Sequence, residues 1–123
     1  MRLLLDERIL ADGRHCSTWA SMDGGRVRIA DDGDSGALLS VTALDRVMAR
    51  YGKPLADDVA AGGDTLDCGD GRSLRRLRFH AVVDATGRDY LVWERPGEEP
   101  VAVLATTATA ALRYLALRLA TEN

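Results

Sequence analysis

The sequence predicts an α+β domain, an antiparallel sheet of five or six strands with one face covered by two helices, near residues 40–52 and 107–121. Two observations carry that expectation. Leu77, Phe79, Ala81 and Val83 alternate with Arg76, Arg78, His80 and Asp84, the two-residue period of a strand with one wet face. At Thr106 and Thr107 the apolar period lengthens to that of a helix and holds to the end of the chain.

Taken in order, residues 2–11 fit a strand through Leu3, Leu5 and Ile9, or a short helix through Leu4, Leu5 and Ile9. Residues 15–20 and 26–30 read as a hairpin around Asp23, Gly24 and Gly25, with Val27 and Ile29 on one face. Residues 31–36 are a turn or loop of Asp, Ser and Gly. Ser40 is a suitable N-cap, and Leu39 and Leu44 are spaced as a hydrophobic staple around it. Leu44, Val47, Met48 and Tyr51 make one apolar stripe, and Gly52 with Pro54 ends the helix as a C′ glycine and a following proline. Residues 56–71, rich in Asp, Gly and Ala, lack apolar periodicity and read as an exposed connector. Strand-like runs return at 74–84, 89–95 and 101–105, separated by turns at Gly87 and at Pro96-Gly97. The helices share a pattern: Ala43-Leu44 and Ala111-Leu112 are each followed by an aliphatic three residues after the Leu and an Arg three after that. The chain is therefore read as one globular domain, 1–123, with an internal repeat of strands plus helix (halves 1–55 and 72–123) as an option. The plainer account is that amphipathic helices rich in Arg, Ala and Leu resemble one another.

Composition narrows the classes. With 46% hydrophobic and 28% charged residues the chain belongs among globular rather than disordered proteins. No apolar run nears the roughly 20 residues that span a bilayer, and Asp6 and Glu7 cut short the apolar start. A cytoplasmic location and no membrane contact are expected. Of 16 basic residues only Lys53 is not arginine, the mark of a GC-rich, bacterial genome. The net charge of −3 argues against generic nucleic-acid binding, although residues 72–95 hold 6 basic against 3 acidic side chains.

No constellation of catalytic, cofactor or metal type emerges. Asp57, Asp58, Asp64, Asp67 and Asp70 lack the register of a calcium loop. His15, Cys16, Cys68 and His80 contain the donors of a zinc set, but neither cysteine has a partner two to four residues away. Asp67-Cys68-Gly69-Asp70-Gly71 places acids where a phosphate loop needs amides. Thr106, Thr107 and Thr109 open a helix whose amides suit an anion, and helix capping explains them equally well. Two surfaces remain. Arg76, Arg78 and His80 form a basic row on one strand face, with Arg75, Arg88 and Arg95 nearby, a candidate contact for anions. On the last helix the core stripe is Ala108, Ala111, Leu112, Leu115 and Leu119, while Ala110, Tyr114 and Leu117 form a second apolar stripe between Arg113 and Arg118.

Three functions follow in descending order. The first is a non-enzymatic protein-interaction module that self-associates as a homodimer through Ala110, Arg113, Tyr114, Leu117 and Arg118. The second is a binder of single-stranded nucleic acid or another polyanion through Arg76, Arg78 and His80. The third is a small enzyme using the His and Cys side chains. Strands-plus-helix repeats occur in single-strand binders and small acidic α+β dimers among secretion chaperones, but these are analogies of fold without a matching motif.

Overall fold

The computed structural model describes residues 2–54, 64–69 and 77–121, the last three as backbone only. Its first half is β1 (Arg2–Ile9), β2 (His15–Asp23), β3 (Arg26–Asp31), β4 (Ala37–Ser40) and helix α1 (Val41–Tyr51). After the short β5 (Lys53–Pro54), the order of four strands and a helix returns as β6 (Thr65–Asp67), β7 (Arg78–Val83), β8 (Asp89–Glu94), β9 (Val101–Leu104) and α2 (Ala105–Thr121). The fold is α+β, and residues 2–9 form a strand, not a helix.

The strands divide into two antiparallel sheets, β1-β2-β3-β4 and β5-β9-β8-β7-β6, where the sequence suggested one. The cause is α1, which interrupts the succession of hairpins and delivers β5 to the far edge of β9, pairing Lys53 with Ala102 and Pro54 with Val101. β4 and β6 were invisible as strands because each buries a single residue, Leu39 and Leu66, and one buried side chain has no period.

Local chemistry explains the element boundaries. Gly24 and Gly25 take φ of 59° and 79° between the paired residues Asp23 and Arg26, the two-residue hairpin turn that requires positive φ at both positions. Ser40 Oγ accepts a hydrogen bond from the Ala43 amide at 3.1 Å, capping α1, and the staple residues Leu39 and Leu44 are both buried. Gly52 departs from expectation. With φ −73° and ψ 145° it is extended, not a left-handed cap. Its value is space: a Cβ there would come within 2.5 Å of Val101 Cβ and 2.6 Å of the Met48 carbonyl oxygen.

The two sheets and two helices enclose one principal core. α1 packs against β3 and β4 and also against β8 and β9; α2 packs against β8 and β9 and also against β1, β3 and β4. Each helix therefore spans both sheets. Leu44 and Met48 from α1 and Ala108 and Leu112 from α2 are fully buried there, beside Phe79 and Trp93, whose rings meet edge to face with centroids 5.8 Å apart. Val82, Val92 and Ala102 form a smaller cluster with Tyr90 on the opposite face of the second sheet.

Two polar contacts tie each helix to the sheet of the other half. The Asp45 carboxylate on α1 accepts a hydrogen bond from Trp93 Nε1 and lies 3.6 Å from Arg95 Nε, at the end of β8. The Arg113 guanidinium on α2 donates to Thr18 Oγ1 and to Asp31, at the end of β3. Asp45 follows Leu44 and Arg113 follows Leu112, so the two contacts occupy equivalent helical positions with opposite charge.

Leu44→Ala and Leu112→Ala should each lower stability by about 2–5 kcal/mol, the cost of truncating a fully enclosed leucine. Because each helix spans both sheets, urea unfolding of either variant should remain one transition. Two separated transitions would show that the halves fold independently.

Candidate functional site

α2 buries Ala105, Ala108, Thr109 and Leu112, which leaves Thr106, Thr107, Ala110, Tyr114, Leu117 and Arg118 exposed along one ridge. Tyr114 and Leu117 are 64% and 67% exposed, large values for side chains with so much apolar surface. Three residues read from the sequence as a second apolar stripe, Ala110, Tyr114 and Leu117, thus lie together on the surface. Arg113 does not frame them as a free charge, because its guanidinium is committed to Thr18 and Asp31 within the chain.

The ridge has two unlike flanks. Toward α1 runs a groove of about 680 Å³. The half-buried Val47, Ala111 and Leu115 give it an apolar base, and Tyr51 and Tyr114 stand beside it. Its charged side chains are Arg46, Arg50 and Arg118, with no acidic residue among the lining. Arg50 lies over the Tyr51 ring at 5.8 Å and Arg118 over the Tyr114 ring at 5.9 Å, within cation–π range. Toward β3 and β4 lies a depression of about 310 Å³ where Ala116 and Leu117 meet Asp31, Asp34 and Arg113.

Asp31 organises that second flank. Partial burial works to raise the pKa of its carboxyl, but the hydrogen bond from Thr18 and the charges of Arg113 and Arg8 outweigh it and hold the group below its ordinary value. Asp34 accepts only the Gly36 amide at 3.4 Å and has no cationic partner among the described residues. Asp32, on the same turn, accepts from Trp19 Nε1 at 2.9 Å and from the Ser17 amide at 3.1 Å.

The other sequence candidates are dispersed. Arg76 and Arg75 lie outside the described residues, as does much of the acidic connector. Arg78 Nε is 3.6 Å from Asp67 Oδ1, and His80 Nε2 is 3.8 Å from Glu94 Oε1, so both carry acidic neighbours. Arg95 is occupied by Asp45 and, at 2.8 Å, by Glu98. His15 and Cys16 are on β2, Cys68 follows β6 and His80 is on β7. Among the described residues no group of three His, Cys, Asp or Glu side chains is placed to hold a metal ion. Burial, reinforced by the Asp67 carboxylate, pushes the Cys68 thiol up to about 12, which keeps it protonated at neutral pH. Of the threonines at the start of α2, Thr106 and Thr107 line the groove and Thr109 is buried.

The sequence reading did not single out Arg46 and Arg50, and it placed Tyr51 in one apolar stripe with Leu44, Val47 and Met48; Tyr51 is 44% exposed at the groove. The missing information was the adjacency of α1 to α2, which no local pattern encodes. Comparison of the chain with family models, with curated proteins and with solved structures finds no match. Among the described residues no helix is long and apolar enough to cross a membrane.

The depressed pKa of Asp31 has a defined pH signature. The carboxylate stabilises the fold above its unfolded-state pKa of about 4, and that contribution is lost as pH falls through the lower folded-state value. Asp31→Asn should therefore cost on the order of 1 kcal/mol at pH 7, the scale of a partly exposed ion pair. Its stability should also fall less than that of the wild type between about pH 5 and pH 2. Parallel acid profiles for the two proteins would contradict this assignment.

Proposed function

We propose that this is a small cytoplasmic bacterial protein that acts by binding protein, in the first place a second copy of itself, through the exposed ridge of α2. One observation carries the reading: Tyr114 and Leu117, each about two-thirds exposed, share one helix face beside a groove with an apolar base. Isolated exposed apolar residues are ordinary, but aromatic, aliphatic and arginine side chains gathered around a concavity have the composition of an interface centre. A homodimer formed this way is isologous, the same patch meeting its own copy. Nucleic-acid binding through the β7 row ranks below it, because Arg78 and His80 already face Asp67 and Glu94 and the chain is net acidic.

Sedimentation velocity at tens of micromolar, a concentration set by ordinary affinities, should find wild type as a dimer. Tyr114→Glu and Leu117→Glu should sediment as monomers with unchanged circular dichroism, since neither side chain belongs to the core. A wild-type protein that stays monomeric under those conditions rules the proposal out.

A further inference from the structure

A concavity, a charge pattern and a stacking contact meet in the groove between α1 and α2. The groove's volume of about 680 Å³ lies within the range of sites for small molecules. Its base of Val47, Ala111 and Leu115 is apolar and half-buried, so hydrocarbon seated there leaves water on the side facing the protein.

The charge is concentrated on one wall. Arg46 and Arg50 are exposed and stand four residues apart on α1, roughly 6 Å along its axis, and so share one face. Elsewhere the fold supplies arginines with carboxylates: Arg8, Arg28, Arg95 and Arg113 each have one. Arg46 and Arg50 have none among the described residues, and the groove lining contains no acidic side chain. Asp45, the acid next to them in sequence, is held by Trp93 and Arg95 instead. Like charges four residues apart on a helix repel each other, and no carboxylate in the groove offsets the repulsion. Arg50 lies over the Tyr51 ring, 5.8 Å from its centroid, so its guanidinium is partly ordered before anything binds.

Two uncompensated positive charges in a chain of net charge −3 favour an anion at this place. Guanidinium groups one turn apart suit a single anionic head, which both can reach with charge-assisted hydrogen bonds. An acidic protein segment would require cations distributed along both walls, and the α2 wall of the groove carries Arg118 alone. We propose that the groove binds a small amphipathic organic anion, its carboxylate, sulfonate or phosphate head between Arg46 and Arg50 and its apolar body on Val47, Ala111 and Leu115. The site is complete within one chain and is distinct from the contact through Leu117, which lies on the opposite flank of α2.

The test is a fluorescence titration of the full chain with anilinonaphthalene sulfonate, an aromatic anion that brightens on apolar surfaces. Wild type should bind one probe per chain with affinity of micromolar order. Arg46→Ala/Arg50→Ala should weaken binding by roughly tenfold or more, the scale of a lost charge-assisted contact. Its circular dichroism should be unchanged, because both side chains are exposed. Arg26→Ala/Arg88→Ala, which removes two exposed arginines outside the groove, should bind as wild type does. Decanoate should displace the probe, and decyltrimethylammonium, with the same chain length and a cationic head, should not. Leu117→Glu, which breaks self-association, should keep the site, so failure of the dimer and failure of the site are read separately. The proposal is overturned by absence of probe binding, by equal binding in wild type and Arg46→Ala/Arg50→Ala, or by equal displacement by the cationic competitor. Loss of the probe from Leu117→Glu overturns it as well, by placing the site at the contact between copies.

Discussion

Everything in this molecule depends on each helix being buried against the sheet of the other half. α1 leaves the first meander and packs onto β8 and β9; α2 leaves the second and packs onto β1, β3 and β4. The four-stranded and the five-stranded sheet are then each covered in part by the helix contributed by the other half. The hydrophobic contribution, about 1.5–3 kcal/mol for each enclosed Leu, Met or Phe, is large but non-directional. The polar contacts supply the direction. Asp45 on α1 meets Trp93 and Arg95 at the end of the third strand of the second meander, and Arg113 on α2 meets Asp31 and Thr18 at the end of the third strand of the first. Two first halves would oppose Asp45 to Asp31, and two second halves would oppose Arg113 to Arg95. The charge reversal therefore selects the pairing of unlike halves, an instance of specificity through what the alternatives would cost.

That arrangement also determines what remains outside. With Leu44, Met48, Ala108 and Leu112 committed to the core, the outer faces of α1 and α2 lie side by side and create the groove between them. Tyr51, Tyr114 and Leu117 are left exposed as a consequence of where the helices must dock, and arginines from both helices gather around the same groove. The use of Arg113 inside the chain separates the ridge into a basic flank and a carboxylate-bearing one. The surface offered for recognition is in this sense the complement of the contacts that hold the halves together.

How far this was legible from the amino acids varies by element. The β2–β3 hairpin, α1 with its Ser40 cap, the β7–β8–β9 meander and α2 all carried local signals, either a period or a defined cap or turn. β4 and β6 carried none, since four and three residues with one buried position cannot show alternation. The division into two sheets depends on where α1 carries the chain, a long-range fact. Tyr114 and Leu117 were readable because they break the pattern of their own helix. Arg46, Arg50 and Tyr51 were not, because their significance arises only from the neighbouring helix, and the contact of Arg113 with Asp31 was not legible because the two are far apart in the chain.

The most direct test of this account is a double-mutant cycle at the contact between α2 and the first sheet, Asp31→Ala, Arg113→Ala and the pair combined, followed by urea unfolding. Reciprocal bracing of the halves predicts a coupling energy of about 0.5 kcal/mol or more, within the range found for residues sharing one polar network. It also predicts that the single variants lose stability without changing the single-transition character. Effects that add to within about 0.3 kcal/mol, as they do for independent sites, would contradict the claim that this contact joins the two halves.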